Sequence, residues 1–125
     1  MNFQSTEKPH FLALTIENTH LTAPTAPELK SELVRLSSLG HSNVVVDLQK
    51  VEFVDSSGLS ALLFGNRLTQ NSNGVFALTG VNPGVMKIIQ ICQLDSVLNI
   101  IHNDNEIEDF IIMSNIAQDL MDEEE

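Results

Sequence analysis

Short apolar segments alternate with longer amphipathic segments along the chain. Segments short enough for strands occur at residues 11–16, 44–48, 51–54, 75–79 and 97–101. Between them, apolar residues recur every three or four positions within 29–36, 59–63, 85–92 and 107–116, which is the spacing of one helix face. Strands that alternate with helices in this way predict an α/β fold in which helices cover a sheet.

Polar and small residues mark the ends of several predicted elements. Thr25, Pro27 and Glu28 match a capping box at the start of the first helix, and Gly40 suits its end. Residues 44–46 are three valines without alternation, which is typical of a strand covered on both faces. The last helix is predicted over residues 106–121. Cys92, Leu94, Val97 and Leu98 are expected in the core, and Phe64 is either a core residue or an exposed partner anchor.

Composition fits one domain with an aliphatic core. The chain has 125 residues, 42% of them hydrophobic, with six Phe and neither Trp nor Tyr. No segment reads as a signal peptide, and no apolar run approaches the roughly 18–20 residues that span a bilayer. A single cysteine excludes an intramolecular disulfide and suggests a reducing compartment. We therefore expect a cytoplasmic protein without direct membrane insertion.

Charge is concentrated at the C-terminal end. The chain carries six Lys and Arg against 17 Asp and Glu, a net charge of −11. Residues 103–125 hold nine of the acidic residues and no Lys or Arg, so residues 1–102 carry only −2. Nucleic acids and anionic membranes are bound by basic surfaces, so neither is an expected partner. The acidic end is either a solubilising tail or an electrostatic contact for a basic partner.

The polar segment Asp55, Ser56, Ser57, Gly58 stands where a strand is predicted to lead into a helix. One interpretation is simple capping, because Asp and Ser oxygens accept hydrogen bonds from the free N–H groups of a first helical turn. The other is that a serine hydroxyl exposed there is phosphorylated, since a helix N-terminus tolerates a phosphate. Asp47 would add negative charge if its strand end lies beside this segment.

The sequence gives little support for a metal site, a serine hydrolase or a phosphate-binding loop. The four histidines, His10, His20, His41 and His102, are scattered without metal-ligand spacing, so no metal site is expected. Ser57 is not in a G-x-S-x-G motif and has no neighbouring His in the sequence, which disfavours a hydrolase. No Gly-rich phosphate loop is present. We therefore predict a binding module without a cofactor and without enzymatic activity of its own.

Three segments in order resemble a STAS domain. They are residues 44–63 (VVVDLQKVEFVDSSGLSALL), residues 25–29 upstream and residues 93–98 (QLDSVL) downstream, and the resemblance is strongest to the bacterial anti-sigma factor antagonists. It covers about residues 9–112. It implies a single STAS domain over residues 1–125, with a core of about 9–112 and an acidic C-terminal helix or tail at 113–125. The implied fold is a central mixed β-sheet of four to five strands flanked by four to five helices.

The resemblance also implies a partner-switching function. An unphosphorylated antagonist binds an anti-sigma factor that is itself a GHKL-type serine kinase, which frees the sigma factor for transcription. The kinase then phosphorylates the second serine of the DSSG motif, the complex dissociates, and a phosphatase resets the switch. By position, the phosphoacceptor is Ser57. The implied partner- and kinase-binding residues are Thr22, Asp47, Asp55, Ser56 and Gly58. The family also allows a transient nucleotide contact near residues 55–58, which would not by itself imply an enzyme.

One position departs from the family pattern. Many antagonists carry an Asp after the first strand that contributes to the phosphorylation surface, and Thr22 occupies that position here. Thr22 and the acidic tail motivate an alternative function, a constitutive STAS scaffold subunit of a larger regulatory or lipid-transport complex. Equal partner binding by the wild-type protein and by Ser57→Asp would distinguish the scaffold from the switch.

Overall fold

The computed structural model describes residues 2–123 as eleven strands and helices plus one short 3-10 helix. They are, in chain order, β1 (Phe3–Glu7), β2 (Leu12–Ile16), β3 (His20–Leu21), α1 (Ala26–Ser38), β4 (Val44–Asp47), β5 (Phe53–Val54), α2 (Ser56–Asn71), β6 (Phe76–Thr79), α3 (Pro83–Ile91), β7 (Asn99–Ile101), the 3-10 helix Asp104–Glu106 and α4 (Ile107–Glu123).

The strands form two sheets. The larger sheet has five strands in the order β1-β2-β4-β6-β7, in which β1 is antiparallel to β2 and the other pairs are parallel. The smaller sheet is the parallel pair β3–β5. Four α-helices cover the larger sheet within residues 2–123. The predicted α/β fold, with a mixed central sheet flanked by helices, is confirmed.

The central strand β4 shows how the two faces of the larger sheet are covered. Successive side chains of a strand point to opposite faces. Val44 and Val46 lie in the main core, which contains buried residues of α1, α2 and α3. Val45 lies in a second cluster with Ala77, Ile101 and Ile111, the last of which belongs to α4. Three helices therefore pack on one face of the sheet, and α4 packs on the other.

Strand β1 was not predicted from the sequence. Its residues (FQSTE) are mostly polar and exposed, and only Phe3 is half-buried and packs against the main core. As an edge strand it is held by its antiparallel ladder with β2, which pairs Phe3 with Ile16 and Glu7 with Leu12. A polar edge strand lacks the apolar pattern of a buried strand, and the sequence therefore did not indicate that the sheet begins before residue 9.

Local predictions had mixed outcomes. Gly40 follows α1 with a φ of +93°, as expected for a glycine that ends a helix. Thr25 precedes α1, but its Oγ1 accepts from the Thr22 amide and donates to nearby carbonyls instead of capping the helix. Cys92 follows the last residue of α3 and is exposed, and Val97 is 48% exposed, so both core predictions were wrong. Leu98 is buried as predicted.

Candidate functional site

Asp55 is the residue immediately before α2, and its side chain connects this helix to the loop before α1. Its backbone is extended, with φ −107° and ψ −173°, and its Oδ1 accepts a hydrogen bond of 2.9 Å from the Gly58 amide. Its Oδ2 accepts a hydrogen bond of 3.0 Å from the Ala23 amide. Capping therefore accounts for only one of the two carboxylate oxygens. The other holds the loop at residues 22–25 against the start of α2.

These hydrogen bonds favour the ionised carboxylate of Asp55. The Gly58 amide contributes most to lowering the pKa of this carboxyl, and the amides of Ala23 and Ser57 lower it further, against a partial desolvation that raises it. Asp55 thus carries a full negative charge at neutral pH, next to the serine that the sequence singled out. Both oxygens of this carboxylate already accept hydrogen bonds from backbone amides, so the structural role of Asp55 is to hold the loop before α1 against α2.

Gly58 lies against the backbone of β3. A Cβ added to Gly58 would lie 2.2 Å from the carbonyl oxygen of Leu21, which is closer than any ordinary contact. The same carbonyl accepts a hydrogen bond from the Asp55 amide at 3.3 Å. The first turn of α2 can approach β3 this closely only because residue 58 has no side chain. Gly58 therefore brings the loop before α1 and the serines of α2 together.

Ser57 lines an open cleft between the first turns of α1 and α2. The cleft has a volume of about 360 Å³ and is lined by Ala23, Ala26, Pro27, Lys30, Ser56, Ser57 and Ser60. Ser56 is exposed and Ser57 is half-buried. Within residues 2–123, the Ser57 hydroxyl forms no hydrogen bond to another residue. The hydroxyl is thus unengaged in this part of the chain, and the residues that line the cleft include no histidine.

Lys30 is the cation of this cleft. Its ammonium lies 6.0 Å from the centre of the Phe64 ring, on the neighbouring helix α2. Phe64 is half-buried and packs against the main core. It also presents its ring to the Lys30 ammonium. The sequence did not indicate Lys30 or Ala23, because both reach the site only when α1 packs beside α2.

Thr22 lies in the loop that Asp55 anchors. Its amide donates to Thr25 Oγ1 at 3.0 Å, and its carbonyl accepts from the amides of Thr25 and Ala26 at 2.9 and 2.7 Å. Its neighbour Ala23 donates to Asp55. Thr22 therefore lies one residue from the lining of the Ser57 cleft, and its side chain brings no charge there.

Asp47 does not join this site. It ends β4 with its side chain on the same side as Val45, which is the face covered by α4, whereas Ser57 belongs to α2 on the opposite face. Its Oδ1 accepts from the Gln49 amide at 2.8 Å, and it lines a separate cleft with residues that include Lys8 and Thr15. The expected proximity of Asp47 to Ser57 is not what the structure shows. Alternation along β4 directs Asp47 to the face that α4 covers, whereas Ser57 lies at the start of α2 and lines a different cleft.

Two other features of the described chain bear on the class of protein. No group of three or more His, Cys, Asp or Glu in residues 2–123 is arranged to hold a metal ion. Across the same residues, no helix combines the length and apolarity that a membrane crossing requires.

Comparison with known proteins assigns the fold to a family. The STAS domain family model matches residues 2–107, which is most of the chain. The chain belongs to the STAS domain family. The resemblance drawn from residues 25–29, 44–63 and 93–98 is confirmed, and the STAS match starts at the β1 strand that the sequence pattern did not predict.

Several proteins similar to this STAS domain are named as anti-sigma factor antagonists. An anti-sigma F factor antagonist of Paenibacillus polymyxa is 27% identical over 108 residues, which cover 83% of this chain and 91% of the relative. An anti-sigma-factor antagonist (STAS) domain protein of Planctomyces limnophilus superposes with a TM-score of 0.72 at 21% identity, covering 93% of this chain and 96% of that one.

A second solved structure has the same fold. The Bacillus cell fate determinant SpoIIAA, in its phosphorylated form, superposes with a TM-score of 0.67 at 17% identity, covering 88% of this chain and 99% of that one. At these identities the solved structures establish the STAS fold of this chain.

Proposed function

We propose that this STAS domain is an anti-sigma factor antagonist that is switched by phosphorylation of Ser57. In the unphosphorylated state it binds an anti-sigma factor that is also a GHKL-type serine kinase, which releases a sigma factor for transcription. A phosphatase restores this state after phosphorylation. The observation that carries the proposal is the unengaged Ser57 hydroxyl in an open cleft at the start of α2, in a chain whose named relatives are anti-sigma factor antagonists.

The environment of Ser57 suits a phosphoryl group. The kinase would transfer the γ-phosphoryl group of ATP to Ser57 Oγ, releasing ADP and the hydroxyl proton. The product adds a charge of about −1.5 to −2. That charge would lie at the N-terminal end of the α2 dipole and in the same cleft as the Lys30 ammonium, both of which favour an anion. The domain can therefore accept the phosphate and remain folded.

The same phosphate would oppose the partner. It would occupy the open cleft, and it would stand beside the ionised Asp55 carboxylate in a chain of net charge −11. A partner that had contacted the uncharged Ser57 side chain would meet both new volume and new negative charge. Burying that added charge at an interface costs desolvation free energy that a partner contact fitted to a hydroxyl does not offset. Release of the kinase after phosphorylation follows from these two effects.

This function needs no chemistry from the chain itself. Ser57 accepts a group from another enzyme, and no general base is hydrogen-bonded to it within residues 2–123. We accordingly propose a regulatory binding protein without a cofactor that works in the cytoplasm, where sigma factors act.

The test separates the serines of one cleft. Wild-type protein, Ser57→Ala, Ser56→Ala and Ser60→Ala are used as baits in an extract of the producing cells, and the recovered kinase is then incubated with each bait and radiolabelled ATP. We expect a GHKL-type kinase on all four baits and phosphate on all except Ser57→Ala. Ser60→Ala is the matched control, because Ser60 lines the same cleft and is not among the predicted kinase-binding residues, while Ser56→Ala tests whether the neighbouring serine is the acceptor. Labelling of Ser57→Ala at the wild-type level would refute the site.

A second bait tests the switch. Ser57→Asp introduces a negative charge at the acceptor position, and we expect it to lose the kinase that the wild-type protein retains. Phosphorylated wild-type protein, prepared with the recovered kinase, should behave in the same way and guards against Asp being a poor phosphate mimic. Recovery of the same partners by all three forms would support the constitutive scaffold, which the uncharged Thr22 favours.

A further inference from the structure

Helix α4 has two halves with different surroundings. In the first half, Ile111 is fully buried, and Ile107 and Phe110 pack against the cluster formed by Val45, Ala77 and Ile101. This half fixes the helix to the sheet face opposite α1, α2 and α3. The second half extends beyond these contacts.

The second half of α4 exposes its apolar residues. Met113 is 69% exposed, Ile116 54% and Leu120 59%. Their spacing of three and four residues places them along one face of a helix with about 3.6 residues per turn. We call these three residues the outer stripe. The half-buried residues of this segment are instead polar, namely Ser114, Asn115 and Gln118.

This arrangement is the reverse of an ordinary surface helix, which turns its apolar face to the core and its polar face to water. Single exposed apolar residues are common and need no explanation. A continuous line of them on the outer face of a helix marks an interaction surface. The outer stripe is therefore a surface that a partner would cover.

Charge identifies the kind of partner. Asp109 and Asp119 are exposed, and their positions, four residues before Met113 and three after Ile116, place them on the same side of the helix as the stripe. Residues 103–125 contain nine acidic and no basic residues. A second copy of the chain would bring two such acidic helices together, and an anionic membrane would repel them. A helix with apolar residues flanked by Lys or Arg complements both features.

We propose that the outer stripe is a docking face for a basic amphipathic helix of a partner protein. The apolar side of that helix covers Met113, Ile116 and Leu120, and its Lys or Arg side chains meet Asp109 and Asp119. Because α4 and the Ser57 cleft belong to opposite faces of the sheet, this contact is separate from the proposed phosphorylation switch and does not depend on it.

The test uses a synthetic probe and the full-length chain. The probe is a fluorescein-labelled Leu/Lys peptide of about 18 residues, patterned as an amphipathic helix, and its matched control replaces every Lys by Glu. Binding is followed by fluorescence anisotropy at several salt concentrations. We expect saturable binding of the Lys peptide that weakens with salt, and no binding of the Glu peptide.

Matched variants locate the binding face. Ile116→Ser/Leu120→Ser removes two stripe residues, and we expect the affinity to fall about tenfold or more. Leu39→Ser/Ile91→Ser removes two apolar residues that are at least as exposed elsewhere, at 62% and 70%, and this variant should bind as the wild-type protein does. Asp109→Asn/Asp119→Asn should weaken binding and reduce its salt dependence. Circular dichroism confirms that each variant is folded.

Three outcomes would overturn the proposal. The first is that Ile116→Ser/Leu120→Ser binds the Lys peptide as tightly as the wild-type protein does, or loses no more affinity for it than Leu39→Ser/Ile91→Ser loses. The second is a wild-type dimer in analytical ultracentrifugation that Ile116→Ser/Leu120→Ser dissociates, which would make a second copy the occupant. The third is binding of the wild-type protein to phosphatidylcholine vesicles that the same double variant abolishes, which would make the occupant a lipid surface.

Discussion

The contact between Gly58 and the Leu21 backbone supplies the sharpest stability prediction. In Gly58→Ala the new Cβ would start 2.2 Å from the Leu21 carbonyl oxygen, so either α2 or β3 must move. Overpacking of this kind costs about 1–3 kcal/mol. The shift also weakens the hydrogen bond from the Asp55 amide to the same oxygen, a further loss of about 0.5–1.5 kcal/mol. The higher helix propensity of Ala returns up to about 1 kcal/mol.

The net expectation for Gly58→Ala is a loss of about 2 kcal/mol from the free energy of unfolding. The measurement is urea unfolding followed by far-ultraviolet circular dichroism, because the chain has no Trp or Tyr for fluorescence. With a slope of about 1–3 kcal/mol per molar urea, the midpoint should fall by roughly 1 M.

Gly84→Ala is the matched control for this experiment. Gly84 also stands in the first turn of a helix that begins with an Asx cap, Asn82, but its added Cβ would meet only the Asn82 Oδ1, at 3.4 Å. At Gly84 no steric clash offsets the higher helix propensity of Ala, so the urea midpoint of Gly84→Ala should equal or exceed that of the wild-type protein. If Gly58→Ala were as stable as Gly84→Ala, the close approach of α2 to β3 would be wrong.

Three further predictions concern other parts of the chain. The lowered pKa of Asp55 stabilises the fold fully above its unfolded value of about 3.9, and this contribution disappears as the pH falls through the folded value; acid should therefore lower the urea midpoint more steeply in the wild-type protein than in Asp55→Asn, and parallel pH profiles would contradict this. On α4, Ile111→Ala should lose about 2–5 kcal/mol and Ile116→Ala about 0.5 kcal/mol or less in the same unfolding assay, since only Ile111 is buried; equal losses would refute the division of this helix. The exposed Cys92 thiol should react with Ellman's reagent in the native protein as fast as in urea, and a protected thiol would place it back in the core.

The central elements could be predicted because their signals are local and strong. Three consecutive valines at 44–46 indicate a strand buried on both faces, and the structure buries all three. Asp55 at the start of α2 follows from the preference of Asp for capping positions. The polar β1 carries no such signal, because its pairing with β2 is made by backbone groups that every residue shares.

The composition of the site depended on tertiary packing. Lys30 enters the Ser57 cleft because α1 packs beside α2, which the spacing of residues along either helix does not reveal. The placement of Asp47 was wrong for a related reason. A strand covered on both faces has no polar side to show which residues face which helix, so the sequence could not assign Asp47 to the α4 face.

The small sheet β3–β5 consists of two residue pairs, His20 with Phe53 and Leu21 with Val54. So short a ladder cannot hold the site by hydrogen bonds alone, and its anchors are the side chains of Leu21 and Val54, which are 0% and 1% exposed. The position of the first turn of α2, and with it the shape of the Ser57 cleft, thus depends on two buried apolar residues that do not line the cleft. A change in the volume of either anchor would reshape the cleft without replacing any residue that lines it.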